Sequence, residues 1–348
     1  MNRRVILFLL ISIIVVFLAL ALSGWLIFGK KSCKSEARIN DVTEARILID
    51  HDGGADDSLA IFTALLYEEK FNGPKVIGLT TTHGNVNEDQ VYVNSQRILG
   101  VANRRDVPIY RGCSEPLIGG SVSDFYFGND GLGDHENVEY QSIAAEKEHA
   151  VFRIIELSKL YPGNLEIIAI GPLTNIAMAV KIDPFFLSRL SRLVIGAGYI
   201  YSDDYKEPEF NVDMDVEAYH IVTRSASPDI VTILPFSQVR TWLNISNEWR
   251  KQTLGSINTD IMKAQNSYER KSLSKSRCWS TLDPAVVAIA LDETIAEETV
   301  FSNNSVVLCG SNRGVVLNDF GSEPNVKLWY RLNMQKYKQF LLRVFSVE

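Results

Sequence analysis

Four carboxylates stand within eight positions: Asp50, Asp52, Asp56 and Asp57, in the run Ile-Leu-Ile-Asp-His-Asp-Gly-Gly-Ala-Asp-Asp-Ser-Leu-Ala at 47–60. Like charges this close repel, and folding them together is costly unless a cation or bound protons offset them. Gly53 and Gly54 permit a sharp turn, so Asp52 and the pair Asp56–Asp57 can converge on one point. Converging carboxylate oxygens are what a hard divalent cation such as calcium requires. The plainer alternative is an acidic helix N-terminus, where capping and the helix dipole favour Asp. That accounts for Asp56 and Asp57 but assigns nothing to Asp50 and Asp52.

Such a cluster needs a rigid frame. A short strand, Arg46–Ile49, leads into it, and a helix over Ser58–Glu69, apolar at Leu59, Ile61, Phe62, Leu65 and Leu66, leads away. The same alternation continues down the chain. Strands are expected at Lys75–Thr80, Val107–Tyr110, Leu165–Ile170, Leu193–Ile195 and Ile230–Leu234; helices at Glu88–Val101, Ala150–Tyr161, Asn175–Lys181 and Val216–Ser225. This is the pattern of an α/β protein, a mostly parallel central sheet with helices on both faces. Ligand crevices in such sheets lie at the carboxyl ends of the strands, where the Asp cluster falls.

The cluster resembles the signature of the nucleoside hydrolase family of the inosine–uridine type, Asp-x-Asp-Pro-Gly-x-Asp-Asp, with Gly53 where that family usually has Pro. Further segments match in order: Leu79–Asn85, the loop Gly128–Gly133, Ile170–Met178, Glu209-Phe210-Asn211 followed by Asp215–Ala218, and Asp283-Pro284. The resemblance implies calcium-dependent hydrolysis of the N-glycosidic bond of ribonucleosides. It implies a calcium ion held by Asp52, Asp57, Asp283 and the Ile170 carbonyl, with Asp52 also the general base for the attacking water. Asp56, Asn85, Glu209 and Asn211 would then bind the ribose, and Asp50 would support its neighbours. Taken by themselves, Asn85 and Asn211 also suit turns, and Asp283 before Pro284 also suits a plain helix start.

Two positions depart from the pattern. Well-known members place a His before the late Asp and another before the Gly of the flexible loop; here these are Leu282 and Phe127. Neither side chain can protonate a leaving base. Phe125, Tyr126, Phe127 and Trp279 are candidates to stack on the base instead, which favours purines. Ordinary packing is the competing account for Phe125 and Trp279. His135 is a further candidate acid, whereas His51 and His83 read as local structural residues. A membrane-tethered nucleoside-binding relative without catalysis is the alternative that these departures leave open. A phosphatase of the haloacid dehalogenase type also opens on Asp-x-Asp, but it follows with Gly-Thr rather than Gly53-Gly54.

The chain of 348 residues is 46% hydrophobic and 22% charged, enough to bury one large core over residues 46–348. Its net charge of −7 conceals a basic start: residues 1–38 hold six basic groups and one acidic, leaving 29 basic and 41 acidic in the remainder. Without a basic stripe, binding to nucleic acid polymers is disfavoured. Val5–Phe28 carries no charge over 24 residues, long enough to span a bilayer as a helix. Residues 1–28 therefore read as a signal-anchor, or as a signal peptide cleaved near Ala21, and 29–45 as a polar tether. This places the domain on the lumenal or extracellular side, and the sequons at Asn244 and Asn303 are compatible with export. Homo-oligomers are compatible with the sequence. The four cysteines, Cys33, Cys113, Cys278 and Cys309, have no zinc-type spacing.

Overall fold

The strand that carries the Asp cluster, β1 (Arg46–His51), is buried at every position, as expected of a strand covered on both faces. Its side chains alternate: Ile47 and Ile49 enter one hydrophobic cluster and Leu48 the other. The computed structural model describes residues 45–119, 122–134 and 142–347. The apolar segment 5–28, Cys33 and His135 lie outside the described residues. Among the described residues no helix is long and apolar enough to cross a membrane.

β1 is joined in one sheet by β2 (Lys75–Thr81), β3 (Ile109–Tyr110), β4 (Leu165–Ala169), β5 (Arg192–Gly196), β6 (Val231–Leu234), β7 (Ala296–Val306), β8 (Val316–Asp319) and β9 (Val326–Leu332). The nine strands lie in the order β8-β7-β9-β6-β5-β4-β1-β2-β3. Every pairing from β9 through β6 to β3 is parallel, and only β7 runs antiparallel to its neighbours β8 and β9. The sequence reading did not include this antiparallel edge. β7 alternates exposed and covered positions over its first half, with Glu297 and Glu298 interrupting the apolar pattern of the buried strands.

Helices cover both faces, as expected. One face is closed by α1 (Ala55–Phe71), α2 (Glu88–Val101), α9 (Leu282–Leu291) and α10 (Met334–Phe345). The other is closed by α3 (Ala150–Leu160), α4 (Thr174–Ile182) and α6 (Val216–Arg224). Between them in the chain, α5 (Phe210–Met214) and α7 (Phe236–Trp242) border the site, and α8 (Asp260–Tyr268) is bonded through Gln265 to the first turn of α1. The chain winds from β1 outward to β3, then returns to the opposite side of β1 to form β4. The carboxyl ends of β1 and β4 thus flank the point where the winding reverses, the usual place for a ligand crevice.

α1 begins three residues before the expected Ser58. Asp57 accepts the Gly54 amide at 2.7 Å, a one-way cap that draws Asp56 and Asp57 into the first helical turn. Capping and convergence therefore use the same carboxylate. Gly53 adopts φ +79°, which proline cannot reach, so glycine at this place goes with a different loop backbone from the Asp-x-Asp-Pro-Gly pattern.

Candidate active site

Asp50, at the end of β1, is fully buried. One of its oxygens accepts from Thr80 Oγ1 at 2.5 Å and Asn175 Nδ2 at 2.8 Å, and the other has no partner. Burial pushes its carboxyl up to about 7. It ties β2 and α4 to the site from behind, in keeping with a supporting role. His51 contacts Ser95 at 3.0 Å, and burial pushes its imidazole down to about 3, so the ring is neutral. His83 lies 3.0 Å from Thr174 Oγ1, which itself donates to Asp215. Both histidines are structural.

Asp52 is gripped by Asn85: the Asn85 amide donates to Oδ2 at 2.8 Å and its Nδ2 to Oδ1 at 2.9 Å. A Cβ at Gly84 would stand 2.0 Å from Asp52 Oδ2, so only glycine lets this backbone come so close. Burial raises Asp52 to about 6, near where a general base works best at neutral pH. Its amide donates to Asp57 Oδ1 at 3.1 Å, which links the two carboxylates through the backbone.

Three carboxylates converge. Asp56, Asp57 and Asp283 each offer an oxygen within 4.8 Å of the other two. Burial and then the Asp52 charge raise Asp56 to about 8, and one of its oxygens has no hydrogen-bond partner. Asp57 and Asp283 are held well above the usual carboxylate range, first by burial and then by their acidic neighbours. Asp283 arrives on α9, which is apolar and buried through Ile289, so the helix around it offers its charge no polar partner. Buried, mutually repelling oxygens with an unpaired lone-pair donor among them fit a hard divalent cation. Of the expected ligands, Asp57 and Asp283 belong to this triplet and Asp52 sits behind it on Asn85. Asp56, expected at the ribose, is its third member. The Ile170 carbonyl, directly after β4, accepts from Asn211 Nδ2 at 3.1 Å.

In front of the triplet opens a cavity of about 630 Å³. Asp56, Asn85, Glu209, Asn211, Phe127 and Trp279, the six expected substrate contacts, all line it. Glu209 caps α5 and accepts the Gly198 amide at 2.9 Å; burial raises it to about 7. Asn211 spends Nδ2 on the carbonyls of Ile170 and Gly196, fastening the ends of β4 and β5 together. Neither Asn85 nor Asn211 is therefore an idle turn residue. Trp279 has one edge in the core, where its Nε1 donates to Glu269 at 2.8 Å and its ring stacks on Tyr337. Leu282 and Tyr126 also line the cavity, whereas Phe125 is exposed outside it. No histidine lines it among the described residues.

Sequence reasoning missed Asn94, whose Nδ2 bonds the carbonyls of Gly53 and Asp130 at 2.8 and 2.7 Å and so joins the Asp loop to the Gly128–Gly133 loop. Its signal was available: a polar residue on the apolar face of α2, beside Val91 and Ile98. Tyr199, Phe236 and Arg240 on the cavity wall were also missed, and no motif marks them.

Sheet, carboxylate cluster and a cavity walled by polar and aromatic side chains together define a nucleoside hydrolase type of protein. The family model for inosine-uridine preferring nucleoside hydrolase matches residues 47–339, and the chain belongs to that family. It is 35% identical over 226 residues to uridine nucleosidase 1 of Arabidopsis thaliana, covering 63% of this chain and 65% of the relative. It is 35% identical over 185 residues to the inosine-uridine preferring nucleoside hydrolase of Leishmania major, covering 51% and 56%. The chain thus spans less than two thirds of these curated relatives. The solved structure of the purine-preferring ribonucleoside hydrolase from Gardnerella vaginalis matches with a TM-score of 0.75 at 26% identity, covering 86% of this chain and 98% of that one.

Proposed function

We propose that this chain hydrolyses the N-glycosidic bond of ribonucleosides to ribose and free base, with calcium as its metal. The carrying observation is the convergence of Asp56, Asp57 and Asp283 within 4.8 Å at the buried end of a cavity lined by Asn85, Glu209 and Asn211. Asp52, Asp57, Asp283 and the Ile170 carbonyl would hold the ion, with Asp56 placed to take a ribose hydroxyl or complete the set. A bound calcium ion supplies charge to offset the carboxylates, a grip on vicinal hydroxyls and acidity for water.

The side chains supply the rest. Asp52, oriented by two bonds from Asn85, takes the proton of the water that attacks C1′. Asp56, Asn85, Glu209 and Asn211 bind and orient the ribose. The negative field of the cluster favours the oxocarbenium-like sugar that forms as the bond breaks. Phe127, Tyr126 and Trp279 form an aromatic wall for the base. The names of the relatives divide between uridine and purine; the aromatic wall favours the larger purine ring in this chain.

A nucleoside panel assayed for free sugar tests this reading. We expect ribose from inosine and guanosine at higher kcat/KM than from uridine, and loss of turnover on exhaustive chelation. Deoxyinosine should fall at least about 100-fold below inosine, because the site would be missing a hydroxyl it binds. Undiminished activity without metal, or equal release of deoxyribose, would defeat the metal and sugar assignments respectively.

For location, we propose a lumenal or extracellular domain, on the strength of the apolar run at 5–28. The sequons add little support. Asn244 borders the cavity, where a glycan would obstruct it, and Asn303 donates its Nδ2 to the Glu323 carbonyl at 2.7 Å. Protease treatment of cells expressing a C-terminally tagged chain should remove the tag from intact cells if the domain is extracellular, or only after internal membranes are dissolved if it is lumenal. A tag cleaved once the plasma membrane alone is permeabilised, with no glycosidase shift, would place the domain in the cytosol.

A further inference from the structure

We infer that Arg240 activates the leaving group, donating hydrogen bonds to the departing base in place of the acids absent at Phe127 and Leu282. The inference rests on the nucleoside-hydrolase reading above. Five carboxylates line the cavity (Asp56, Asp124, Glu209, Asp213 and Asp283), and Arg240 is its one cationic side chain among the described residues. An arginine beside so many acids would ordinarily pair with one of them. Arg240 makes no ion pair among the described residues; its guanidinium lies 4.5 Å over the Phe236 ring and 5.5 Å from the centre of the Tyr199 ring. Phe236 and Tyr199 line the same cavity and stack at 6.2 Å. The two rings hold the guanidinium, and none of its five N–H donors makes a side-chain hydrogen bond or ion pair among the described residues, so they are open to a ligand.

The position suits the base rather than the sugar. The sugar groups gather at the carboxylate end, with Asn211 fastened to the ends of β4 and β5. Arg240 lies on α7, and its charge acts on Tyr126, which sits in the aromatic wall beside Phe127. The two bulky apolar replacements leave that wall without a proton donor among the described histidines.

Guanidinium remains charged at any working pH, so Arg240 cannot serve as a proton donor. As the C1′–N bond breaks, its electron pair passes to the base and charge spreads to the exocyclic oxygen, O6 of a purine or O2 and O4 of uracil. Arg240 stabilises that charge by hydrogen bonding. The oxygen of water forms the new bond to C1′, its proton goes to Asp52, and solvent then protonates the freed base. The term of interest is one donor aimed at developing charge, which in other sites is worth about 10²–10³ in rate.

Two substrates separate this role from support of the wall. Inosine needs help with its leaving group; p-nitrophenyl β-D-ribofuranoside releases a stable phenolate without it. In the full calcium-loaded chain, Arg240→Gln keeps most of the side-chain stem and removes the charge. We expect its kcat on inosine to drop at least about 100-fold while kcat on the nitrophenyl riboside stays within about 3-fold. Arg240→Lys, which restores the charge without the fork, should recover part of the inosine rate. Equal losses on both substrates, or an unchanged inosine rate in a variant with wild-type thermal stability, would overturn the assignment. A wild-type chain that releases ribose from neither substrate would instead refute the hydrolase reading itself.

Discussion

Replacing Asp283 with Asn is expected to lower kcat/KM for ribonucleosides by at least about 10³-fold, equivalent to about 4 kcal/mol. The same change should leave the metal-free fold at pH 7.5 as stable as the parent or more so. Both effects follow from one arrangement. Asp283 is carried into an apolar helix and makes no hydrogen bond among the described residues, while burial and then Asp56, Asp57 and Asp52 oppose its charge. An amide of equal size removes a repelling charge without opening a cavity, and it also removes an anionic metal ligand. Ribose release and thermal melts in chelator test the two halves together. Retained turnover would take Asp283 out of the site, and a melting temperature lowered by more than about 5 °C would show that the carboxylate stabilises rather than strains the fold.

In chelator, stability is expected to fall as pH rises towards 8, with calcium abolishing most of the fall. A carboxyl whose pKa is raised on folding binds its proton more tightly in the folded chain. Its stabilisation is complete below the unfolded value and is lost as pH climbs through the folded one. Asp52 has a folded value of about 6, Asp50 and Glu209 about 7, and Asp56 about 8, each against an ordinary value near 4. His51 and His83, both lowered by burial, act in the opposite sense below 6.5. Asp183, lowered to about 2 chiefly by Arg189, matters only in more acidic solution. The loss should therefore be clearest between about pH 6.5 and 8, where we expect a drop of at least about 5 °C in Tm. Saturating calcium offsets repulsion in the folded state alone and so restores it. A flat pH profile in chelator would mean that these carboxylates do not stand close enough to repel.

Much of the fold could be read from the chain because its signals are local. The apolar runs at 47–49 and 167–170 mark strands buried on both faces, and Glu88–Val101 has Asn87 at its start, which caps it by accepting the Gln90 amide. The carboxylate loop and Asp283 were visible as residue types at telling places. The antiparallel edge was not, because β7 is half-exposed and its glutamates blur the period. For Trp279 the sequence left stacking and packing even; the structure packs it, Nε1 on Glu269 and the ring on Tyr337, and sets it in the cavity wall. Arg240 carried no signal at all, since a single arginine on a short helix has the pattern of a solvated residue. What the chain alone determined were segments whose conformations depend on neighbours a few residues away. Which oxygens meet was decided only when α9 packed on α1 and β4 returned beside β1, bringing Asp283 to Asp56 and Asp57 across more than 200 residues. Long-range packing and strand order are set by the burial of whole faces, and no local spacing encodes them.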